Sequence, residues 1–272
     1  MQRRIRKHRI KPYRREQYEG NREKLPYKHV GKLFHAFGSA FVDAIFPPRC
    51  AVCGMILPLK EKMICRKCAA DLPFVGSTYC LKCGKPIDNS EREYCSDCEM
   101  NPHRYEEGRA ALLYEKGARR AIDRLKFYNR RESVPFFGVC LSMLAAEYFP
   151  RWKPDCLVPV PMHPKKRAER GFDQAALLAE ELGRRTGVEV REDLLVRQRY
   201  TGASKKLGRA SRRKNLRGVF AVNDGADIPF SVVLIDDIYT TGATMDEAGY
   251  ALQKAGVRHV FFLTVCIGRG QT

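Results

Sequence analysis

The feature that most constrains the fold is a set of eight cysteines, arranged as four C-x-x-C pairs with eleven residues in every gap between pairs. Each pair can form a tight turn that presents two thiolates to a metal ion, and two such turns complete a tetrahedral zinc site. Metal is favoured over disulfides because we expect a cytoplasmic chain, and the cytosol keeps ordinary thiols reduced. The candidate zinc ligands are Cys50, Cys53, Cys65, Cys68, Cys80, Cys83, Cys95 and Cys98.

The equal gaps do not decide which pairs share a metal, but the neighbouring residues are informative. Glycine follows the first and third pairs, at Gly54 and Gly84, whereas a bulky residue precedes the second and fourth. This thirty-residue repeat predicts two consecutive ribbons, Cys50 to Cys68 and Cys80 to Cys98, and leaves an interleaved arrangement open. Four thiolates per ion leave no coordination position for a substrate, so both zinc ions are expected to be structural.

Positive charge is concentrated in two parts of the chain. The formal net charge is +19 over 272 residues, and nearly all of it lies in residues 1–33 and in the acid-free stretch from Val196 to Phe220. Such segregation favours anionic ligands, either a phosphorylated small molecule or nucleic acid. For the N-terminal stretch, a solvated extension and a nucleic-acid contact both stay open.

Membrane and secretory signals are not expected from the sequence. A spanning helix requires about 20 apolar residues, and the best stretch that we identify, 30–46, is interrupted by Lys32, His35 and Asp43. The N-terminus is basic but has neither the apolar core nor the cleavage site of a secretory signal. We therefore predict no membrane span and a cytoplasmic protein.

The strongest functional signal is the stretch 232–244, VVLIDDIYTTGAT. Its four leading apolar residues predict a buried strand, and the apolar spacing that follows predicts a helix ending near Gly256. Backbone N–H groups of residues 240–244 would then surround one phosphate at the positive end of the helix dipole. Asp236 and Asp237 come directly before them and suit the hydroxyls of a ribose or a phosphate-bound Mg²⁺.

This stretch resembles the phosphoribosyl pyrophosphate (PRPP) signature of the type I phosphoribosyltransferases. The wider chain, from about Phe41 to Ile267, is similar to the ComF/GntX family of competence-associated proteins, in which cysteine knuckles precede a phosphoribosyltransferase-like domain. The resemblance implies that Asp236 and Asp237, the candidate catalytic residues, hold the ribose 2- and 3-hydroxyls, and that Mg²⁺ binds with PRPP. It also implies that the 5-phosphate is bound by Thr240, Thr241, Gly242, Ala243 and Thr244.

Further PRPP-binding candidates lie after a second predicted strand and at the end of a predicted helix. Prolines that fix the turn after that strand, followed by a basic loop, suit a diphosphate. The family's Arg-Gly-Phe-Asn-Gln run matches residues 170–174, with Asp173 in place of Asn, which adds a negative charge near the expected diphosphate. His163 is either a turn residue that stabilises this loop or a ligand contact, and both alternatives stay open. Lys126 is either a PRPP contact or a solvated cation at the end of its helix. These candidates are Lys126, Pro161, His163, Lys166 and Arg170.

The acid-free stretch from Val196 to Phe220 is predicted to be a flexible flap that closes over a polyanionic substrate and excludes water. The family's Arg-x-x-Asn element matches Arg212 and Asn215, whereas Ser204 replaces the usual upstream Gln. Arg212 is therefore the PRPP-binding candidate in the flap. The same stretch also suits nucleic-acid phosphate, and composition does not separate the two.

Two classes of function remain open. The first is a phosphoribosyltransferase, a glycosyltransferase of unknown acceptor that acts in DNA uptake during natural competence. Thr240 stands where the oxopurine salvage enzymes place an acid, which disfavours hypoxanthine and guanine as acceptors. The second, which the resemblance implies in part, is a non-catalytic adaptor that binds single-stranded DNA and docks a competence helicase through the zinc ribbons.

We predict an α/β fold, a type I phosphoribosyltransferase-like parallel sheet with helices on both faces, preceded by a small zinc-ribbon module. The predicted domains are a basic disordered tail (1–28), an amphipathic helix (29–46), a double zinc ribbon (47–101) and a phosphoribosyltransferase-like domain (102–270). The predicted strands are Tyr105 to Tyr114, Cys156 to Val160, Ser231 to Ile235 and His259 to Val265. The predicted helices are Ala118 to Phe127, Phe172 to Arg185 and Thr244 to Ala255.

Overall fold

Five parallel strands form the central sheet of the computed structural model, which describes residues 47–58, 61, 63–199 and 215–269. The strands in chain order are β1 (Glu107–Leu113), β2 (Cys156–Pro159), β3 (Glu189–Val190), β4 (Leu195–Arg197), β5 (Phe220–Val222), β6 (Ser231–Tyr239) and β7 (His259–Ile267). The sheet order is β1–β7–β6–β2–β3, while β4 and β5 form a separate antiparallel pair. Because β6 and β7 are apolar on both faces, they occupy the interior of the sheet.

Helices cover both faces of this sheet. In chain order the described helices are α1 (Arg66–Ala70) and α2 (Ser96–Met100) in the cysteine-rich region, followed by α3 (Lys116–Tyr128), α4 (Val134–Trp152), α5 (Pro164–Arg170), α6 (Gln174–Thr186) and α7 (Ala243–Ala255). Successive side chains of β6 point to opposite sides, so that Val233 and Ile235 join the core under α3, α4 and α6. Val232 and Leu234 join a second core under α7. The predicted α/β fold with helices on both faces is thus confirmed.

The longest described helix, α4, is not among the helices predicted from the sequence. Together with the 3₁₀ turn that precedes it, α4 forms a helical segment, Arg131–Trp152, that is long and apolar enough to cross a membrane by length and composition alone. Half of the most apolar part of this segment is buried inside the protein. Phe137 and Leu141 are completely buried, and α4 packs on β1, β7 and α6. These contacts are those of a core helix in the α/β domain.

The predicted elements that can be compared lie close to the observed ones. The main difference is that β6 continues to Tyr239, so Asp236 and Asp237 are strand residues rather than loop residues. Helix α6 begins at Gln174 because the Asp173 side chain accepts hydrogen bonds from the amides of Ala175 and Ala176 and so caps the helix. The predicted tail and amphipathic helix (1–46) and most of the flap (200–214) lie outside the described residues.

The ribbon region belongs to the same compact unit as the sheet, which spans Arg49–Thr272. The amide of Gly108 at the start of β1 donates to the carbonyl of Lys82 at 2.8 Å. The amide of Val75, between the two ribbons, donates to the carbonyl of Ala111 at 3.0 Å. Backbone hydrogen bonds therefore join the ribbon region directly to the edge strand β1.

Candidate functional site

The two adjacent acids of β6 lie near the carboxyl end of the strand and contact a lysine from α3. Asp237 is buried, and its Oδ2 lies 2.6 Å from Nζ of Lys126. Asp236 is half-buried, and its Oδ1 accepts the backbone N–H of Asp237 at 2.8 Å. Lys126 is therefore a largely buried partner of Asp237 and not a solvated cation, although the two residues are far apart in sequence.

Burial and charge shift the pKa values of this group strongly. Burial, and next the neighbouring Asp237 carboxylate, raise the pKa of Asp236 well above its usual range. For Lys126, burial acts to lower the pKa, but the charges of Asp237 and Asp236 outweigh it and the pKa is raised. Because its raised pKa keeps a proton on Asp236, a divalent cation that binds here displaces this proton and gains oxygen ligands from both acids.

The phosphate loop, defined here as residues 240–242, joins β6 to α7. Its Gly242 has a φ of +78°, in the left-handed region that favours glycine. A Cβ at this position would come 2.5 Å from the hydroxyl of Tyr239, so a larger residue does not fit without movement. Among the described residues no side chain caps the N-terminus of α7. The first-turn amides of this helix are thus available to an anion.

We predict that Gly242→Ala destabilises the protein more than Gly225→Ala. Both glycines have positive φ, but nothing lies within 4 Å of a Cβ at Gly225. Left-handed strain alone costs about 1–2 kcal/mol, and the contact with Tyr239 adds to it only at Gly242. Urea unfolding of the two variants measures the difference, and equal losses would contradict the close approach.

The loop after β2 carries the next group of candidates. Nδ1 of His163 accepts the amide of Lys165 at 3.2 Å, so this histidine caps α5, as the turn role predicts. Asp173 Oδ2 accepts the amide of Met162 at 2.8 Å, so the residue that departs from the family pattern ties this loop to α6. Pro161 is half-buried. The loop is thus held in place by hydrogen bonds from its own backbone amides to His163 and Asp173.

Cations crowd this loop. Burial, and next the charges of Arg197 and Arg170, lower the pKa of Lys166. Such mutual repulsion is relieved by a polyanion, which is the expected ligand here.

Arg197, at the end of β4, is not among the site residues predicted from the sequence, although it is the first cation of the acid-free stretch. Burial lowers its pKa while the charge of Asp236 acts to raise it, so Arg197 belongs to the same electrostatic cluster. Arg212 lies outside the described residues.

The eight ribbon cysteines form two separate clusters of four, in which the candidate ligand atoms all lie within 4.8 Å of one another. Sγ of Cys53 and Cys65 are 3.9 Å apart, and Sγ of Cys83 and Cys95 are 3.7 Å apart. Tetrahedral zinc with bonds of about 2.3 Å places its sulfur ligands roughly 3.8 Å from one another, so both clusters fit structural zinc. The members are Cys50, Cys53, Cys65 and Cys68, and Cys80, Cys83, Cys95 and Cys98.

This grouping confirms the consecutive arrangement and excludes the interleaved one. The three remaining cysteines, Cys140, Cys156 and Cys266, are at most 2% exposed and lie in the apolar cores. They are core residues, as the sequence predicts.

Comparison with known proteins agrees with the two cysteine clusters. Residues 41–99 match the family model of the double zinc ribbon domain. Competence protein F of Haemophilus influenzae is 31% identical over 109 residues, which cover 39% of this chain and 48% of that protein. Competence protein ComFC of Bacillus subtilis is 30% identical over 166 residues, which cover 59% of this chain and 66% of that protein. The chain thus spans about half to two thirds of the length of the curated relatives it matches.

Among solved structures, adenine phosphoribosyltransferase from Leishmania donovani aligns with a TM-score of 0.29 and 16% identity, covering 50% of this chain and 67% of the other. A similarity at this level says nothing about the ligand. Conclusions about the site therefore depend on its own geometry.

Proposed function

Because the chain belongs to the ComF family, we propose that it binds PRPP or a closely related phosphosugar, together with Mg²⁺, and acts in DNA uptake in the cytoplasm. The observation that carries the proposal is the cluster of Asp236, Asp237 and Lys126, beside the glycine turn that begins α7. An acid pair next to an anion-binding helix N-terminus matches a ligand with ribose hydroxyls at one end and a phosphate at the other.

Each part of the site then has a role in binding this ligand. The carboxylates of Asp236 and Asp237 accept the ribose hydroxyls and supply oxygen ligands to Mg²⁺, which when bound neutralises the diphosphate. The amides and hydroxyls of the loop and first turn, residues 240–244, bind the 5-phosphate. The diphosphate is bound by basic groups around the β2 loop and β4, namely Lys166, Arg170 and Arg197.

The catalytic extension of this proposal is phosphoribosyl transfer. The bond from ribose C1 to the diphosphate oxygen breaks, and a bond forms from C1 to an acceptor nucleophile, while the electron pair leaves with pyrophosphate. The protein needs no covalent nucleophile for this step, because positioning and stabilisation of the leaving group supply the catalysis. The acceptor itself is left open.

The proposal is tested by measuring the affinities of PRPP, ribose 5-phosphate and pyrophosphate in Mg²⁺ buffer, using protein that holds both zinc ions. We expect PRPP to bind most tightly, because only PRPP fills the loop, the acid pair and the basic cluster together. Ribose 5-phosphate and pyrophosphate each occupy one part and compete with it. Equal affinities for PRPP and free pyrophosphate would reduce the site to a non-specific anion site and contradict the proposal.

A second candidate function, single-stranded DNA binding, is favoured by an exposed aromatic surface beside the site. Phe127 and Tyr128 at the end of α3 are 53% and 71% exposed. The guanidinium of Arg170 lies 5.6 Å from the ring centroid of Phe127. Aromatic rings next to arginines suit unstacked bases and phosphates. In this alternative the protein is a non-catalytic adaptor, and the zinc ribbons dock a helicase.

The two functions are separated by one pair of variants. Salt-sensitive binding of oligothymidine that survives Asp236→Ala/Asp237→Ala but is lost in Phe127→Ala/Tyr128→Ala supports the adaptor. PRPP binding that is lost in Asp236→Ala/Asp237→Ala but kept in Phe127→Ala/Tyr128→Ala supports the phosphosugar site.

A further inference from the structure

The second zinc ribbon contains a buried ion pair. Nζ of Lys85 lies 3.7 Å from Oδ2 of Asp97, and the two side chains are only 2% and 4% exposed. Lys85 follows Cys83 by two residues, and Asp97 directly precedes Cys98, so the pair joins the two knuckles of one cluster. A buried charge pair is costly to desolvate and often adds little stability. Its presence therefore requires an explanation beyond the closing of a ribbon.

The thirty-residue repeat offers an internal comparison. Met55 and Lys67 occupy the equivalent positions of the first ribbon, and the Met55 side chain is 70% exposed. Because methionine carries no charge, the first ribbon brings its four cysteines together without an ion pair at these positions. The ribbon fold itself thus does not need the pair of Lys85 and Asp97.

The ion pair faces the residue that precedes the phosphate loop. Nζ of Lys85 lies 5.4 Å from the ring centroid of Tyr239, the last residue of β6. The Tyr239 ring is buried, stacks on Phe262 and places its hydroxyl 2.7 Å from the hydroxyl of Tyr105. The same hydroxyl closes the space behind Gly242. A continuous set of contacts therefore runs from the second ribbon to the glycine turn.

The residues directly after the second ribbon contact the other side of the loop. Nδ1 of His103 lies 2.9 Å from Oδ1 of Asp246, and the amide of Arg104 donates to that oxygen at 3.0 Å. Asp246 belongs to the first turn of α7. Tyr239 before the loop and Asp246 after it are thus both held by the ribbon or by the segment that leaves it.

We propose that Lys85 is a positioning residue for the phosphate loop. Paired with Asp97, it holds Tyr239, and through Tyr239 the turn at Gly242, in the conformation that receives the 5-phosphate. The inference rests on the proposed function for the identity of the ligand. It makes the second ribbon a wall of the site in addition to a zinc-binding module.

The test compares Lys85→Met, which copies the side chain of the first ribbon, with the matched control Lys67→Met on an exposed lysine of that ribbon. Both variants are expected to keep two zinc ions. In Lys85→Met, the amide of Asp246, which donates to the carbonyl of Gly242 at 2.8 Å, should exchange with deuterium about tenfold faster, whereas the amides of β7 should not change. Affinity for PRPP with Mg²⁺ should fall roughly tenfold, since small displacements of binding groups have effects of this size or larger. Lys85→Arg should restore both properties, and Lys67→Met should change neither.

Unchanged exchange of the Asp246 amide in Lys85→Met would overturn the inference. A uniform increase over the whole chain would overturn it too, because it indicates a general loss of stability. If wild-type protein does not bind PRPP, the proposed function fails, and the exchange measurement alone decides the inference. If Lys85→Met does not fold, Asp97→Asn, which keeps the shape of the side chain, replaces it and is expected to give the same local increase.

Discussion

Replacing one buried ribbon cysteine, as in Cys83→Ser, is expected to remove one zinc ion and several kcal/mol of stability. The ribbon segment is too short to fold through apolar burial alone. Zinc binding to short cysteine-containing domains supplies about 10–16 kcal/mol of apparent free energy, much of which appears as folding free energy. Because backbone hydrogen bonds join Lys82 to Gly108 and Val75 to Ala111, loss of the ribbon should also loosen β1 at the sheet edge.

Metal analysis and urea unfolding check this prediction, with Cys140→Ser as the matched control. Cys140 and Cys83 are both buried, but Cys140 lies in α4, away from either cluster. The control should keep two zinc ions and lose only the modest stability of a core substitution. A Cys83→Ser protein that keeps two zinc ions and wild-type stability would contradict the four-cysteine assignment of the second cluster.

Neutralising the acid pair has the second largest expected effect, which is measured as a loss of binding. In Asp236→Asn/Asp237→Asn the affinity for PRPP with Mg²⁺ should fall by roughly 100-fold or more. Hydrogen bonds to charged groups contribute about 1.5–3 kcal/mol each, and 1.4 kcal/mol corresponds to a factor of ten. Asp224→Asn, on an exposed turn, is the control and should bind as wild type.

The stability of Asp236→Asn relative to wild type should increase as the pH rises. Replacing the carboxylate of an ordinary salt bridge has the opposite effect, because the wild type then gains stability as the pH rises. The raised pKa of Asp236 means that the folded protein holds a proton that the unfolded chain releases above about pH 4. The wild type therefore loses this stabilising contribution as the pH rises from about 4 through the raised pKa. The variant does not lose it, so its melting temperature relative to wild type should increase from pH 4 to pH 7.5. A difference that stays constant over this range would contradict the burial of the Asp236 charge.

The predictable parts of the fold are those with local signals. The knuckle pattern around Gly54 and Gly84 indicated consecutive ribbons, because each knuckle carries its own turn residue. The stretch from Val232 to Ile235 indicated a central strand, because a parallel strand buried on both faces is continuously apolar. The turn at Gly242 was predictable because this glycine stands between the predicted strand and the predicted helix.

Helix α4 was missed because its apolar residues are distributed around most of its circumference. Phe137 and Leu141 are buried, but Met143 on the same helix is 41% exposed, so no clear stripe marks a single buried face. Pro135 and Pro150 also suggest breaks, although the first stands in the opening turn, where proline is tolerated. Tertiary packing rather than local pattern defines this helix.

The contacts that shape the candidate site were also beyond local patterns. Lys126 meets Asp237 across more than one hundred residues, and Lys85 reaches Tyr239 across an even longer interval. No periodicity or spacing encodes such pairings, because the topology of the sheet and the docking of the ribbon create them. The sequence predicted Lys126 as part of the site, but not its carboxylate partner.

Calorimetric titration of PRPP with Mg²⁺ into zinc-loaded wild-type protein decides whether the acid pair and the phosphate loop form a binding site. We expect saturable binding of one PRPP per chain that weakens strongly when Mg²⁺ is withdrawn. No saturable binding by folded protein containing two zinc ions would contradict the claim that the Asp236–Asp237 site binds a phosphosugar.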